Sequence, residues 1–215
     1  MNVVNDNDIN ISFTIAKTIF ENLEYDMFKK LKFTKDSLYS SSKIKGSKRL
    51  ADIILKSTNN RSNITITDGT GNIGTDTIYL ARIFTKINSI ELSEENFIAL
   101  ENNVNVLNEY KNITCIKGDS NEEIKKLTQD VIYIDAPWGG INYKNFETLK
   151  LYLGDVEILD FYKKNKDLSD IFVFKVPYNY DFEYLKQYID DSITIYPYKK
   201  ENRIKFFYIV IQKTI

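Results

Sequence analysis

The chain has 215 residues, 43% hydrophobic and 27% charged, which suits one domain with a full core and is short for two. With 29 basic and 30 acidic residues the net charge is −1, so no global basic field advertises nucleic-acid binding. Histidine is absent and Cys115 is the lone cysteine, which excludes His-dependent triads, His-ligated zinc, Cys-rich metal clusters and intramolecular disulfides.

Apolar side chains at Phe13, Ile15, Ala16, Ile19, Phe20, Leu23, Met27 and Leu31 recur at helical spacing and predict one or two helices over 13–32. The Ser- and Lys-rich stretch 34–47 reads as a loop. A helix is expected over 48–57, and "TNNRSN" ends it. Strands at 64–67, 87–92, 112–118, 131–135 and 171–176 then alternate with helices at 74–85, 93–110, 120–128, within 155–166 and at 181–189. Ser93, followed by acids, is a good N-cap for the helix it opens. "SITIYPY" and "RIKFFYIVIQK" predict a closing antiparallel pair.

This alternation indicates an α/β fold: a doubly wound, Rossmann-like, mostly parallel sheet of seven strands with an antiparallel C-terminal edge. Residues 1–55 read as an N-terminal helical extension on a core spanning 56–215. Cys115, in "NITCIKG", is expected to be a buried small hydrophobe. No stretch approaches the roughly 20 apolar residues of a membrane span. "MNVVNDNDIN" lacks the regions of a signal peptide. A soluble, intracellular monomer without membrane partners is expected.

In doubly wound sheets ligands bind at the carboxyl ends of the strands. The first core strand ends in "TDGTGNIGTD", where Gly69, Gly71 and Gly74 satisfy G-x-G-x-x-G and allow a tight turn close to a ligand. Glu91 ends the second strand, where a carboxylate can accept ribose hydroxyls, and Asp119 ends the third, within reach of an adenine amine. With Thr70, Leu92 and Ser120 these residues form the expected nucleoside-binding set. Asp68 stands immediately before the glycines, where it would repel a diphosphate but suits an ammonium. That favours S-adenosylmethionine over a dinucleotide, and no metal.

The fourth strand ends in "DAPWGGINY". Asp135 and the carbonyl of Ala136 can accept hydrogen bonds there, and Pro137 biases Ala136 to an extended conformation. Trp138 offers a flat face, and Gly139 and Gly140 let something flat approach the backbone. Methyl transfer to an aryl amine needs this combination, because accepting both N–H groups turns the amine lone pair toward the methyl and stabilises the developing charge. Asp135, Ala136, Pro137 and Trp138 are therefore the candidate catalytic group, with Asp135 also beside the cofactor.

This stretch resembles the S/D-P-P-W-G-G-x-x-Y signature of the RNA cap guanine-N2 methyltransferases, the trimethylguanosine synthase family. "DGTGNIGTDTIYLA" resembles the family's glycine turn; "SIELSEENFIALENN", "CIKGDS", "LKFTKDSLYSSSKIKGSKRLADII" and "YKNFETL" fall where the family has comparable segments. The resemblance implies a class I methyltransferase fold and a 7-methylguanosine cap as substrate. Trp138 would then stack on the cationic base, gaining about 0.5–2 kcal/mol over plain guanine. Tyr143 matches a tyrosine that contacts cap phosphates, and Lys32 lies where the family has a phosphate-binding lysine. One of Lys199, Lys200, Arg203 or Lys205 is expected to supply another.

Three departures stand out. Ala136 replaces the first proline of the signature, and the glycine turn lacks a Phe-Cys pair. "KVPYN" stands where the family has an arginine, so Tyr178 cannot form that ion pair and Lys175 would have to substitute. The long N-terminal extension of cellular members is not expected, and the AT-rich composition suits a compact viral member. The competing readings are an amino-group methyltransferase acting on tRNA, rRNA or DNA, and a catalytically silent subunit of an RNA-processing complex.

Overall fold

Seven strands form one sheet in a computed structural model that describes residues 2–4, 10–107, 109 and 111–213. The chain opens with a small hairpin, β1 (Asn2–Val4) and β2 (Asn10–Ser12), followed by one-turn helices α1 (Phe13–Ala16), α2 (Tyr25–Phe28) and α3 (Ser37–Ser40) and then α4 (Ile44–Ser57). The core runs β3 (Thr65–Asp68), α5 (Thr75–Ala81), β4 (Lys86–Glu91), α6 (Glu94–Leu107), β5 (Ile113–Lys117), α7 (Ser120–Glu123) and β6 (Val131–Ile134). It continues with a two-residue pair, β7 (Tyr152–Leu153) and β8 (Val156–Glu157), then α8 (Ile158–Asn165), β9 (Ile171–Pro177), α9 (Phe182–Tyr188), β10 (Ser192–Lys200) and β11 (Arg203–Gln212). Short 3-10 turns cover Ile124–Lys126 and Gly140–Asn145.

The strand order is β10-β11-β9-β6-β3-β4-β5. β3 pairs in parallel with both β4 and β6, so the chain winds outward through β5 and returns on the other side of β3. The switch point lies between β3 and β6, and their carboxyl ends carry Asp68 and Asp135. At the other edge β11 pairs antiparallel with both β9 and β10. The reversed strand is thus inserted between its neighbours and does not itself form the edge.

The inner strands β6 and β9 are near-continuous apolar runs because both faces are covered, whereas the edge strands β5 and β10 hold no fully buried residue. Ile132, Ile134, Phe172 and Phe174 point to the side where α8 and α9 pack, while Val131, Tyr133, Ile171 and Val173 point to α4 and α5. Leu50, Ala51, Ile53 and Ile54 of α4 belong to this second cluster and are buried against the sheet. The segment 11–33 forms a third cluster with Ile73 before α5, Ile78 of α5, and Leu100 and Val104 of α6.

The expected helices over 13–32 are realised as two single turns. Turn bonds carry α1 on to Phe20, and Asn22 then enters the left-handed region at φ 55° and reverses the chain. Ala16, Ile19, Phe20, Leu23 and Leu31 are buried, Phe13 and Met27 pack partly against them, and Ile15 is exposed, so the helical spacing marks most of the packed side chains without forming a continuous helix. The expected loop at 34–47 holds α3 and the first residues of α4. Thr34 and Ser37 cap each other there: Thr34 N donates to Ser37 Oγ at 3.0 Å and Ser37 N to Thr34 Oγ1 at 3.1 Å. The β7–β8 pair turns at Gly154, φ 60°, and Glu157 caps α8 through Leu159 N at 2.8 Å. Cys115 is half-buried, packed against the third cluster, and burial pushes its thiol up to about 11. Residues 1, 5–9, 108, 110 and 214–215, including parts of the N-terminal stretch and of the expected helix 93–110, lie outside the described residues. No helix among the described residues is long and apolar enough to cross a membrane.

Ile54 is fully buried between α4 and the sheet. Ile54→Ala should lower unfolding free energy by about 2–5 kcal/mol in one cooperative transition. Denaturant melts read by both tyrosine and tryptophan signals check this; a second, separate transition would show that α4 folds apart from the sheet.

Candidate active site

The glycine turn is shaped by its surroundings. A Cβ on Gly69 would collide with Ile134 Cδ1, one on Gly71 with Ser89 Oγ, and Gly74 takes φ +93° where α5 begins. The turn therefore folds back onto the strand ends, and any larger residue would push it out. Ser120 Oγ donates to the Gly69 carbonyl from the start of α7, fixing the turn from the third strand's side. Asp68 is fully buried, accepting from Thr77 Oγ1 at 2.6 Å and from Thr70 N at 3.1 Å.

Glu91 Oε2 accepts from Asn72 N and Oε1 from Ser93 N, both at 2.7 Å. Each oxygen keeps a second lone pair for a ribose hydroxyl. Leu92 beside it is 60% exposed, an apolar surface at the strand end suited to an adenine face. Asp119 caps α7, its Oδ1 accepting from Asn121 N at 2.9 Å.

At the fourth strand tip, Asp135 N donates to Thr70 Oγ1 at 2.7 Å, which ties this tip to the glycine turn. Asp135 Oδ2 lies 2.6 Å from Lys175 Nζ, a pair whose side chains are 19% and 6% exposed. Lys175 also donates to Ser42 Oγ at 2.8 Å. Ala136 turns its methyl into the core, and Pro137 is exposed. Trp138 is half-buried, with Tyr143 at 5.2 Å edge-on, Phe206 at 6.2 Å and Lys175 Nζ 5.8 Å from the ring. Gly139 and Gly140 adopt φ +88° and +71°, and a Cβ on either would meet nothing within 4 Å. Their backbone conformation, more than close approach, is what requires glycine here.

The other expected substrate residues lie in four places. Tyr143 joins Trp138 and has Tyr178 at 6.2 Å on its far side. Lys199, Lys200, Arg203 and Lys205 are exposed at the tip of the β10–β11 hairpin and form no ion pair among the described residues. The last β9 partner of β11 is Pro177, paired with Phe206, so Arg203–Lys205 overhang the carboxyl end of the sheet by about 10 Å. Lys32 is exposed, its backbone bound to Asn103 on α6, and no described contact joins it to Trp138 or Tyr143. Lys175, read as a substrate contact, is instead buried beneath the aromatic cluster and engaged by Asp135.

Sequence reasoning missed Asp76 and the serines just before and at the start of α4. Asp76 accepts from Ser42 and Ser47 at 2.6 Å and from Tyr133 OH at 3.0 Å. Ser41, Ser42, Asp68, Thr70, Asp76 and Asp135 line one cleft. Ser41 Oγ in that cleft is buried without a hydrogen-bond partner among the described residues. The signal available was the acid one turn after the glycines and a serine run too polar for packing.

Charge in the cleft is strongly perturbed. Burial pushes the Asp68 carboxyl up to about 7, against the pull of Thr77 and Thr70. Burial likewise raises Asp135, and Lys175 pulls it part of the way back. Burial opposes the charge of Lys175, but Asp135, Asp76 and Asp68 outweigh it and hold the ammonium above its ordinary value. An acid-lined cleft with an orphaned hydroxyl fits an aminoacyl group carrying an ammonium and a sulfonium. Asp68 would take the ammonium, Ser41 the carboxylate, Glu91 the ribose and Leu92 with Asp119 the adenine.

Crossover order, glycine turn and acids at four consecutive strand tips define the fold and cofactor edge of a class I methyltransferase. A methyltransferase from Porphyromonas gingivalis shares this fold with a TM-score of 0.65 at 19% identity, over 83% of this chain and 42% of that one. A class I S-adenosylmethionine-dependent methyltransferase from Listeria monocytogenes does so at 0.61 and 11% identity, over 86% and 63% of the two chains. More narrowly, the chain belongs to the RNA cap guanine-N2 methyltransferase family, whose pattern matches residues 63–214. An uncharacterised protein of Acanthamoeba polyphaga mimivirus is 32% identical over 165 residues, covering 74% of this chain and 62% of that protein. An uncharacterised RNA methyltransferase of Caldanaerobacter subterraneus is 31% identical over 109 residues, 48% of this chain and 23% of that one. The chain thus spans less than two thirds of the length of either relative.

With Asp68 as the partner of the ligand's ammonium, cofactor binding would carry a pH signature. A ligand ammonium favours its ionised form, so below pH of about 7 binding must expel a proton, and affinity should fall by up to tenfold per pH unit. Above that value affinity should level off. Calorimetry in buffers of different ionisation enthalpy should find proton release on the acid side only, and Asp68→Asn should abolish it.

Proposed function

We propose that the protein transfers a methyl group from S-adenosylmethionine to the exocyclic N2 amine of the 7-methylguanosine cap of RNA. The observation that carries this reading is the half-buried Trp138 standing beside Asp135 at the strand tip next to the acid-lined cleft. Family membership supports the substrate, since the matched residues include the whole tryptophan loop.

S-adenosylmethionine, when bound, supplies an electrophilic methyl on a sulfonium centre. The chain's own residues do the rest. Trp138 holds the purine in plane, and a cationic 7-methylguanine gains attraction to the indole that guanine lacks. Asp135 Oδ1 and the Ala136 carbonyl accept the amine N–H groups, aim its lone pair and stabilise the positive charge that grows on nitrogen. Tyr143 and Tyr178 continue the aromatic surface outward, and the overhanging Lys199, Lys200, Arg203 and Lys205 supply charge for the triphosphate and the phosphates beyond it. Lys32 is assigned to the cap phosphates by resemblance alone.

Trp138 is the only tryptophan, so intrinsic fluorescence reports this loop directly. A 7-methylguanosine cap analogue should quench it at lower concentration than unmethylated cap, and transfer to a short capped RNA should yield N2-methylated product by mass analysis. Equal rates on both caps, or transfer only to uncapped tRNA, rRNA or DNA, would replace the cap reading. Trp138→Ala should raise KM for capped RNA about 10–100-fold with cofactor affinity unchanged. Replacing Lys199 and Arg203 together by Ala should weaken binding of longer capped RNA and flatten its salt dependence, measured by titration at several ionic strengths.

A further inference from the structure

We propose that Lys175 is a positioning residue for methyl transfer: its buried ammonium fixes one oxygen of Asp135, leaving the carboxylate charged and its other oxygen turned to the substrate amine. This rests on the function proposed above and assigns a role that the tryptophan signature does not contain. The geometry is specific. Lys175 sits in the middle of β9, opposite Tyr208 of β11, with its Nζ 2.6 Å from Asp135 Oδ2 and 2.8 Å from Ser42 Oγ. Trp138 and Phe206 roof it, 5.8 and 5.3 Å from the ammonium, so it is closed off from phosphates and from solvent.

A buried lysine inside an apolar strand is costly, and packing gives no reason for it. Its surroundings do. Asp135 faces Asp76 from α5, Asp68 from β3, Tyr133 from its own strand and Tyr208 from β11. Two of these are carboxyls that disfavour a further negative charge, and the tyrosines stay neutral because burial holds their hydroxyls well above the usual range. Lys175 is the one cation in contact with Asp135 among the described residues. Without it the carboxyl would protonate, present an O–H in place of an acceptor and lose its fixed rotamer. With it, Asp135 is a weaker base than burial alone would make it and an oriented hydrogen-bond acceptor, the property needed to aim an amine that must keep its protons until the methyl has moved.

The test compares wild type with Lys175→Met and Lys175→Arg on a short 7-methylguanosine-capped RNA across pH. Lys175→Met should lower kcat about 100-fold with little change in KM for the cofactor, and its remaining activity should fall away at higher pH as acid is added. The sign follows from the chemistry: the active form is the carboxylate, and removing a neighbouring cation raises the pH at which it is lost. Lys175→Arg keeps the charge and should restore the wild-type acid limb; if only this variant folds, a displaced limb in it overturns the proposal. Carbon-13 carboxyl NMR of Asp135 needs no turnover and separates this idea from the choice of substrate. The Asp135 signal should titrate higher in Lys175→Met than in wild type. Unchanged titration, or unchanged kcat and pH profile, would sink the positioning role even if cap methylation stands.

Discussion

Three carboxylates, Asp68, Asp76 and Asp135, converge where β3 and β6 part, and the fold around them is arranged to tolerate that charge. Each is answered locally. Thr77 and the Thr70 amide serve Asp68; Ser42, Ser47 and Tyr133 serve Asp76; Lys175 serves Asp135. The donors come from the glycine turn, α5, the segment before α4, α4 itself, β6 and β9. Hydroxyls can satisfy a buried carboxylate without adding a second charge to desolvate, which is why one lysine suffices. Ser42 before α4 and Ser47 in its first turn are drawn onto the sheet by the same requirement, because Asp76 would otherwise be buried without them.

This explains what was legible in the sequence. The inner parallel strands read correctly because each is a short run buried along most of its length, and Asp68, Glu91, Asp119 and Asp135 stood out because each stands at or just past the carboxyl end of a strand. Asp76 and Lys175 were harder because their partners are remote: Ser42 lies 133 residues from Lys175. A lysine within "IFVFKVP" says that something unusual is buried there, but the one-dimensional pattern cannot say which acid it meets. The segment 13–32 failed differently. Apolar residues every three or four positions can satisfy one buried stripe as a helix or as successive turns, and Asn22 in the left-handed region selected the turns.

The glycines show the same contrast between position and reason. Gly69 and Gly71 are small because neighbouring side chains leave no room, whereas Gly139 and Gly140 have open space and need their positive φ. The first pair closes the cleft onto the strand ends; the second swings the chain after Trp138 into the turn at Gly140–Asn145, which carries Tyr143 back to the indole edge. A loop built in this way gives the aromatic face a fixed backing without burying it. In a chain of net charge −1 the overhanging hairpin tip is locally basic: Lys199, Lys200, Arg203 and Lys205 stand there exposed beside a single acid, Glu201, and their field acts over a Debye length of about 10 Å.

The two halves of the site meet through Thr70. Its amide donates to Asp68 and its hydroxyl accepts from the Asp135 amide, so the turn that would hold the cofactor's ammonium also sets the strand tip that would hold the substrate amine. From Asp135 the linkage passes to Lys175 and so to the underside of Trp138. Methyl transfer depends on sub-ångström alignment of donor and acceptor, and here both are referred to one connected set of buried groups. Displacing any member would move the others, which makes alignment a property of the switch point as a unit and not of the tryptophan loop alone.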